Sequence, residues 1–445
     1  MTLPAILVPL NERLTPVSAI TSMKSVSGFA TMRDGQSPSR RLAALVPCLA
    51  CLLSLWPIRL SAEGLRNPPP GAFNLGRAGG RIAQVDDSSA ATQNPANLVD
   101  VQGREFQFTP SLVYMSIDYH APSGASTHTI DPWKPLPNAF ASIPLKQDKF
   151  AAGVGITVPY GLANEWDTSL SSPLRYAAPH IAGLKTINVN PSVAAKLFDQ
   201  LSVGVGLDVM YSEVLFKQFL SPAFPDFEAK AKGDGFGFGG NIGITWQMTE
   251  RQRLAVTYRS PITVDYDGHF HLTGIPGGGT SVTDFGSKIK FPTIVAVGYG
   301  IQLTPAIRVE TDFEWLQFSR FDSLPINVGS NPFVPSMNLA QNWKDTFTAG
   351  IGGDWRFAGN WILRAGYQFY ESPVPNSTFS PAIPDANQNV ITVGLAYKYK
   401  RHALELAYGL DFYDQRHITN NQNPAFNGTY DINVHLFSLA YRYSF

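Results

Sequence analysis

The sequence predicts an all-β fold: a 14-stranded antiparallel transmembrane β-barrel with an N-terminal hatch or plug inside the lumen. Three observations carry the prediction. Apolar and polar residues alternate with period two through most of the chain beyond residue 104. The alternating segments are joined by connections that are long and short in turn. Charged residues make up only 15% of the chain, against roughly 25% in ordinary soluble domains. Yet no run of about 18 apolar residues follows position 60, so no helix is expected to span a membrane. Strands that face lipid on one side and a lumen on the other reconcile these facts. Lys plus Arg and Asp plus Glu both number 34, so nothing supplies a basic field for nucleic acid.

Residues 1–62 read as a leader with its signal-peptide core at 40–62. Arg40 and Arg41 give a basic start, Leu42 to Trp56 an apolar stretch, and Leu60-Ser61-Ala62 a small-residue cleavage site. Residues 1–31 are then a long leader, or lie upstream of a true start at Met32. Both cysteines, Cys48 and Cys51, fall inside this segment. Cleavage after Ala62 leaves a mature chain without a disulfide or thiol site.

Residues 63–103 do not alternate. They are small, polar and Gly-rich, with Asp86-Asp87-Ser88 placed to cap a short helical turn. Pro95 restricts Asn94 to an extended or turn geometry. Fourteen strands about 4.8 Å apart and tilted about 40° enclose a backbone radius of roughly 14 Å. Side chains alone do not fill such a lumen, and a compact segment of about forty residues suits the task. A periplasmic linker is the other reading of the same residues.

Residues 104–445 form the barrel. Alternating segments begin near 104, 137, 149, 186, 201, 234, 253, 288, 306, 343, 360, 388, 402 and 431. The connections after the even-numbered segments are short: Lys146–Asp148, Asp199–Gln200, Thr249–Gln252, Thr304–Pro305, Ala358–Gly359 and Lys400–Arg401. Those after the odd-numbered segments are expected to be loops of roughly fifteen to twenty-five residues, rich in Pro, Gly, Asn and Ser. Tight periplasmic turns and long outer loops are the habit of outer-membrane barrels. The chain ends SLAYRYSF, with Leu439, Tyr441, Tyr443 and Phe445 on one face. That stripe is expected to face lipid. The strand ending on Phe445 pairs with the first, because a sheet in lipid must close on itself. It is also the expected handle for the barrel-assembly machinery.

LGRAGGRIAQVDDSSAATQNPANL (Leu75–Leu98) resembles the hatch of the FadL/TodX-like family of outer-membrane transporters for long-chain fatty acids and other hydrophobic compounds. Asn94-Pro95-Ala96 is its most recognisable element. FPTIVAVGYG with VETDFEWLQFSRF, then NWKDT, LRAGY, SPVP and IPDA, follow in the family's order, so the resemblance runs from about 64 to 445. The stretch Arg66–Pro70 departs from the family near the mature start. The resemblance implies a hatch inside the barrel, a kinked third strand and a wall opening there for sideways release into the membrane. Gly153, Gly155 and Pro159 place that kink, since Gly weakens a strand and Pro cannot donate to the ladder. It also implies outer loops forming a hydrophobic landing groove, for which Leu215, Phe216, Phe219 and Leu220 in the loop Glu213–Phe227 are the candidates.

Alternation places Lys344, Arg364, Arg308 and Arg442 on the lumen side with Glu310, Asp312 and Glu314. Arg364 is the first choice for a ligand carboxylate, because a guanidinium offers a bidentate fork. Mutual pairing of these charges is the alternative. A ligand gains about 0.8 kcal/mol per buried methylene, so a sixteen-carbon chain gains about 12 kcal/mol. Capture is then easy and release hard, and a moving hatch supplies release. No GxxxxGK[ST] motif occurs, so passage is expected to be passive. The competing function is a general or substrate-selective porin. An enzyme is not expected, nor are a cofactor or a metal, although His269 and His271 share one face at i, i+2. The expected partners are a long-chain fatty acid or other apolar small molecule, outer-membrane lipid and lipopolysaccharide. The expected state is a monomer.

Overall fold

The computed structural model describes residues 64–146 and 149–445. The expected leader and cleavage site lie outside the described residues.

Fourteen strands close into one antiparallel barrel. Strand 1 comprises Glu105–Phe108 and Ser111–His120, strand 2 Trp133–Leu136 and Ala139–Lys146, strand 3 Phe150–Thr157 and Gly161–Trp166. Strand 4 is Ile181–Phe198, strand 5 Leu201–Ser221 and strand 6 Phe224–Thr249. Strand 7 comprises Gln252–Arg259 and Ile262–Thr273, strand 8 Ser281–Phe291 and Ile294–Thr304. Strands 9 to 14 are Ile307–Leu316, Thr346–Ala358, Trp361–Tyr370, Gln388–Tyr399, His402–Tyr413 and Gly428–Ser444. Closure is in register: Phe106 faces Tyr443 and Ser111 faces Ser438 across strands 1 and 14. The interruptions in strands 1, 7 and 8 fall at Pro110, Pro261 and Pro292, where the ladder loses a donor.

Five of the short connections form the turns expected of them; the sixth, Lys146–Asp148, falls partly outside the described residues. Two of the long ones do not. Strand 5 meets strand 6 in a hairpin whose tip is Pro222 and Ala223, and strand 7 meets strand 8 through residues 274–280 only. The strands run on instead, with Gly233 facing Val214 and His271 facing Lys230. Pro222 and Pro225 made this stretch look like loop, yet the alternation of EVLFKQFL continues through it.

Alternation sorts the side chains as the sequence predicts. Leu404, Leu406, Phe437, Leu439 and Phe445 are exposed on the outer surface, while Glu405, Ser438 and Arg442 are buried on the inner one. Aromatics collect near the short turns: Trp246, Trp355, Trp361, Tyr397 and Tyr399 are all exposed. This is the girdle a barrel presents to a membrane interface. The apolar outer band, which would cost heavily in water, is stable against acyl chains.

Residues 64–101 are almost entirely buried within the barrel. They carry short helical turns at Ala72–Gly76 and Ala90–Gln93 and a 3-10 turn at Pro95–Asp100. Asp87, from the expected cap, accepts the Ser89 amide at 3.0 Å.

Candidate functional site: the lumen and the break in strand 3

The lumen has two chemically distinct halves. The half near the short turns is polar and ionic. Strand 9 alternates so that Glu310, Asp312 and Glu314 all point inward. Glu310 accepts the consecutive amides of Ile82 (2.7 Å), Ala83 (2.5 Å) and Gln84 (2.9 Å), and pairs with Arg77 at 3.3 Å. Asp312 accepts the Arg81 amide at 2.6 Å. Glu314 pairs with Arg81 and, at 2.7 Å, with Arg66. A buried carboxylate costs several kcal/mol unless it is paired and hydrogen-bonded. Here the N-terminal segment supplies those partners, so strand 9 and residues 77–84 satisfy one another.

The Asn94-Pro95-Ala96 turn has its own seat. Asn94 Oδ1 accepts the Ala96 amide at 3.1 Å, and its Nδ2 donates to Ile82 O at 2.8 Å and to Thr245 Oγ1 at 2.9 Å. The facing wall positions are Gly243 and Gly204. A Cβ at Gly243 would fall 2.0 Å from Asn94 Oδ1, and one at Gly204 would fall 2.4 Å from the Pro95 carbonyl carbon. Glycine at both positions lets the turn lie against strands 5 and 6.

The half towards the long connections is apolar. Val113, Met115, Tyr160, Val264, Phe285 and Phe291 belong to one continuous buried cluster. It is capped from outside by residues 371–387, whose Val374, Phe379 and Ile383 are buried in the same cluster. Trp166 and Asn164 of strand 3 donate to Pro381 O at 3.0 Å and Ala382 O at 3.1 Å. The open space left in the lumen is small. One cavity of about 100 Å³ lies between Arg66–Pro70, Tyr160, Arg259 and Tyr370. A second of about 20 Å³ lies between Pro68, Leu75, Val390, Asp411 and Leu436. A formed ligand pocket holds roughly 300–1,000 Å³. A ligand of that size therefore requires displacement of the residues now filling the lumen.

Strand 3 breaks at Val158–Tyr160, around Pro159. Below the break it pairs normally with strand 2, Ala139 facing Ile156. Above it, Thr129 and Ile130 of the first outer connection take the place of strand 2, facing Trp166 and Glu165. Strand 2 keeps its pairing with strand 1 there, Leu136 facing Ser111. Between these two contacts the described residues show no ladder joining strands 2 and 3. The N-terminal segment occupies the backbone groups freed there. Arg66 forms a β-bridge with Tyr160. Asn67 N donates to Pro159 O at 3.0 Å, Gly161 N to Leu65 O at 2.8 Å, and Asn67 Nδ2 to Val158 O at 2.8 Å.

The residues singled out from sequence fall in different places. Pro159 is at the break. Gly153 and Gly155 are not; they sit in the fully paired part of strand 3. A Cβ at Gly153 would meet Leu98 at 2.7 Å, and one at Gly155 would meet Thr92 at 2.3 Å. These glycines admit the N-terminal segment instead of bending the strand. Arg364 faces the lumen but is committed to Glu405 at 2.7 Å and stacks over Phe73 at 4.7 Å. Arg308 faces Asp354 at 2.8 Å and Asp86 at 2.9 Å. Arg442 takes Glu405 at 2.8 Å. Lys344 is not in the lumen: it lies exposed in the connection before strand 10, paired with Glu371 at 2.8 Å. Leu215, Phe216, Phe219 and Leu220 lie on the strand 5 extension, not in a loop. Alternation splits them. Phe216 and Leu220 pack on the apolar cluster, while Phe219 stacks on His180 at 4.7 Å and under Arg175 at 4.0 Å. His269 and His271 lie on strand 7 with ring centroids 6.2 Å apart, and no set of three metal-ligating side chains occurs among the described residues.

Residues 60–445 match the sequence family described as outer membrane protein transport protein (OMPP1/FadL/TodX). The chain belongs to this family. It is an outer-membrane β-barrel of the transporter kind, and its relatives are transport proteins and channels, not enzymes. It is 27% identical over 376 residues to the long-chain fatty acid transport protein of Escherichia coli O6:H1, covering 74% of this chain and 82% of that one. It is 26% identical over 391 residues to the Salmonella typhi protein of the same description, covering 79% and 87%. Among solved structures, a Pseudomonas aeruginosa FadL homologue superimposes with a TM-score of 0.76 at 21% identity, over 86% of this chain and 100% of that one. The Ralstonia pickettii toluene transporter TbuX does so with 0.68 at 18% identity, over 86% and 100%. These two likenesses show the fold.

Proposed function

We propose that this FadL/TodX-family barrel carries hydrophobic small molecules, long-chain fatty acids or other apolar compounds, passively across the outer membrane. Residues 1–62 serve as the leader, 63–103 as a hatch and 104–445 as the barrel. An apolar molecule lands among the outer strand extensions and passes beneath residues 371–387 into the apolar half of the lumen. It leaves sideways through the break in strand 3. The observation that carries the reading is the β-bridge of Arg66 with Tyr160. The same short segment bounds the lumenal cavity and occupies the freed backbone groups of strand 3, so its withdrawal enlarges the one and exposes the other.

The lumen supports this direction of travel. Its apolar half stabilises a greasy ligand by about 0.8 kcal/mol per buried methylene. Its ionic half is crossed by Arg77, Arg81, Glu310 and Glu314, and transfer of an alkyl chain through it is unfavourable. The bilayer beside strand 3 is the favourable destination. Uptake of labelled oleate and toluene by cells lacking their own transporter tests the proposal. Protein-dependent accumulation of at least one is expected. Accumulation of neither, with a large steady conductance in planar bilayers, would identify a porin.

A further inference from the structure

Not every lumenal carboxyl is absorbed by the ionic network. Asp411, on strand 13, is 6% exposed and lines the cavity bounded by Leu75, Val113, Val390, Val434 and Leu436. Its Oδ1 has no hydrogen-bond partner. No ion pair reaches it among the described residues. Its neighbours on the same strand behave differently: Glu405, six residues earlier, is held by both Arg364 and Arg442 at 2.7 and 2.8 Å.

An unpartnered polar group in an apolar wall costs on the order of 1–3 kcal/mol. A structural role does not offset that cost, since Asp411 holds nothing. A ligand that brings a hydrogen-bond donor does offset it. A carboxylate ligand does not, because it brings a further acceptor to an oxygen that lacks a donor, and the cation on the facing wall, Arg66, is already paired with Glu314. Arg77, Arg308, Arg364 and Arg442 are not open to a ligand carboxylate, because all four face acidic side chains. The cavity's other wall is Arg66, Pro68, Pro69, Leu75 and Ala78. Withdrawal of the N-terminal segment would therefore open the space directly in front of Asp411.

We infer that Asp411 is a specificity-determining residue that selects uncharged apolar molecules bearing a hydroxyl donor, such as phenols or fatty alcohols, over carboxylates of the same size. The inference rests on the transport function proposed above and names the cargo class within it. The donor hydroxyl points at Oδ1 while the hydrocarbon packs on Val113, Val390, Val434 and Leu436. A site built to hydrogen-bond a substrate hydroxyl discriminates against the analogue lacking it, because its polar group is then left unpaired.

Three compounds of matched shape test it: p-cresol, toluene and 4-methylbenzoate, as initial protein-dependent uptake rates in transporter-deficient cells. The wild-type order is p-cresol, then toluene, then 4-methylbenzoate. Asp411→Leu lowers the p-cresol-to-toluene ratio about tenfold, the effect of one lost hydrogen bond. Asp411→Asn, which keeps an acceptor, holds the ratio within about threefold of wild type. Heat-modified mobility on gels confirms that each variant has closed its barrel, and toluene uptake reports that each remains competent. Uptake of all three compounds with no p-cresol preference, or a preference that survives Asp411→Leu, overturns the inference and leaves the transport function standing. So does 4-methylbenzoate as the fastest substrate. Uptake of none overturns both.

Discussion

Arg77 and Glu310 meet 3.3 Å apart inside the barrel with both side chains fully buried. One belongs to the N-terminal segment and the other to strand 9, 233 residues later. The same carboxylate takes the amides of Ile82, Ala83 and Gln84. Removing one partner of a buried pair costs up to about 3–5 kcal/mol, less here because Arg77 also keeps Asp354 at 3.2 Å. Glu310→Gln is therefore expected to loosen residues 77–84 from the wall while the barrel stays closed. Raised conductance in planar bilayers and faster proteolysis near Arg77 and Arg81 would report it.

A second prediction concerns the Asn94-Pro95-Ala96 seat. Gly243→Ala places a methyl where Asn94 Oδ1 now sits, 2.0 Å away. Overpacking of this kind costs about 1–3 kcal/mol. The turn should leave its seat, with loss of the Asn94 hydrogen bonds to Ile82 and Thr245. Asn94→Ala should produce the same increase in conductance, and combining the two should add little, since both act on one contact.

The outer mouth is expected to respond to acid. His180 lies at the start of strand 4, outside the membrane-spanning wall, with Nε2 3.2 Å from Glu228. Burial, with Lys217 and Arg175 nearby, pushes its imidazole down to about 4. The folded value is below the unfolded value of about 6.5. The neutral form is thus the one the fold prefers, and its contribution is complete above pH 6.5 and lost as pH falls through 4. Hydrogen exchange of residues 213–221 should accelerate between pH 6.5 and 4 in the wild type. In His180→Gln that acceleration should disappear.

The barrel was legible because lipid and lumen impose opposite chemistry on alternate residues, and because short connections punctuate it. The outer hairpin of strands 5 and 6 was hidden, since Pro222 and Pro225 resemble loop residues and strands outside the membrane lose the apolar outer face. The break in strand 3 followed from Pro159. The roles of Gly153 and Gly155 did not, because a close approach by Leu98 and Thr92 leaves no local mark in the sequence. Alternation put Arg308, Arg364 and Arg442 in the lumen correctly. Their partners, Asp86, Asp354 and Glu405, lie dozens to hundreds of residues away in sequence, and only the closed barrel brings them together. Lys344 was misplaced because the strand it was assigned to begins later, at Thr346.

The most direct test locks the N-terminal segment to strand 3. Arg66 and Tyr160 form an antiparallel, non-hydrogen-bonded pair, flanked by the bonds Asn67 to Pro159 and Gly161 to Leu65. Such pairs bring Cα atoms to about 4.5 Å, within disulfide range. In the Arg66→Cys, Tyr160→Cys variant, uptake of the apolar substrate should fall at least tenfold when oxidised and return on reduction, with the barrel intact in both states. Equal uptake in the oxidised and reduced forms would mean that the substrate reaches the membrane without moving this segment.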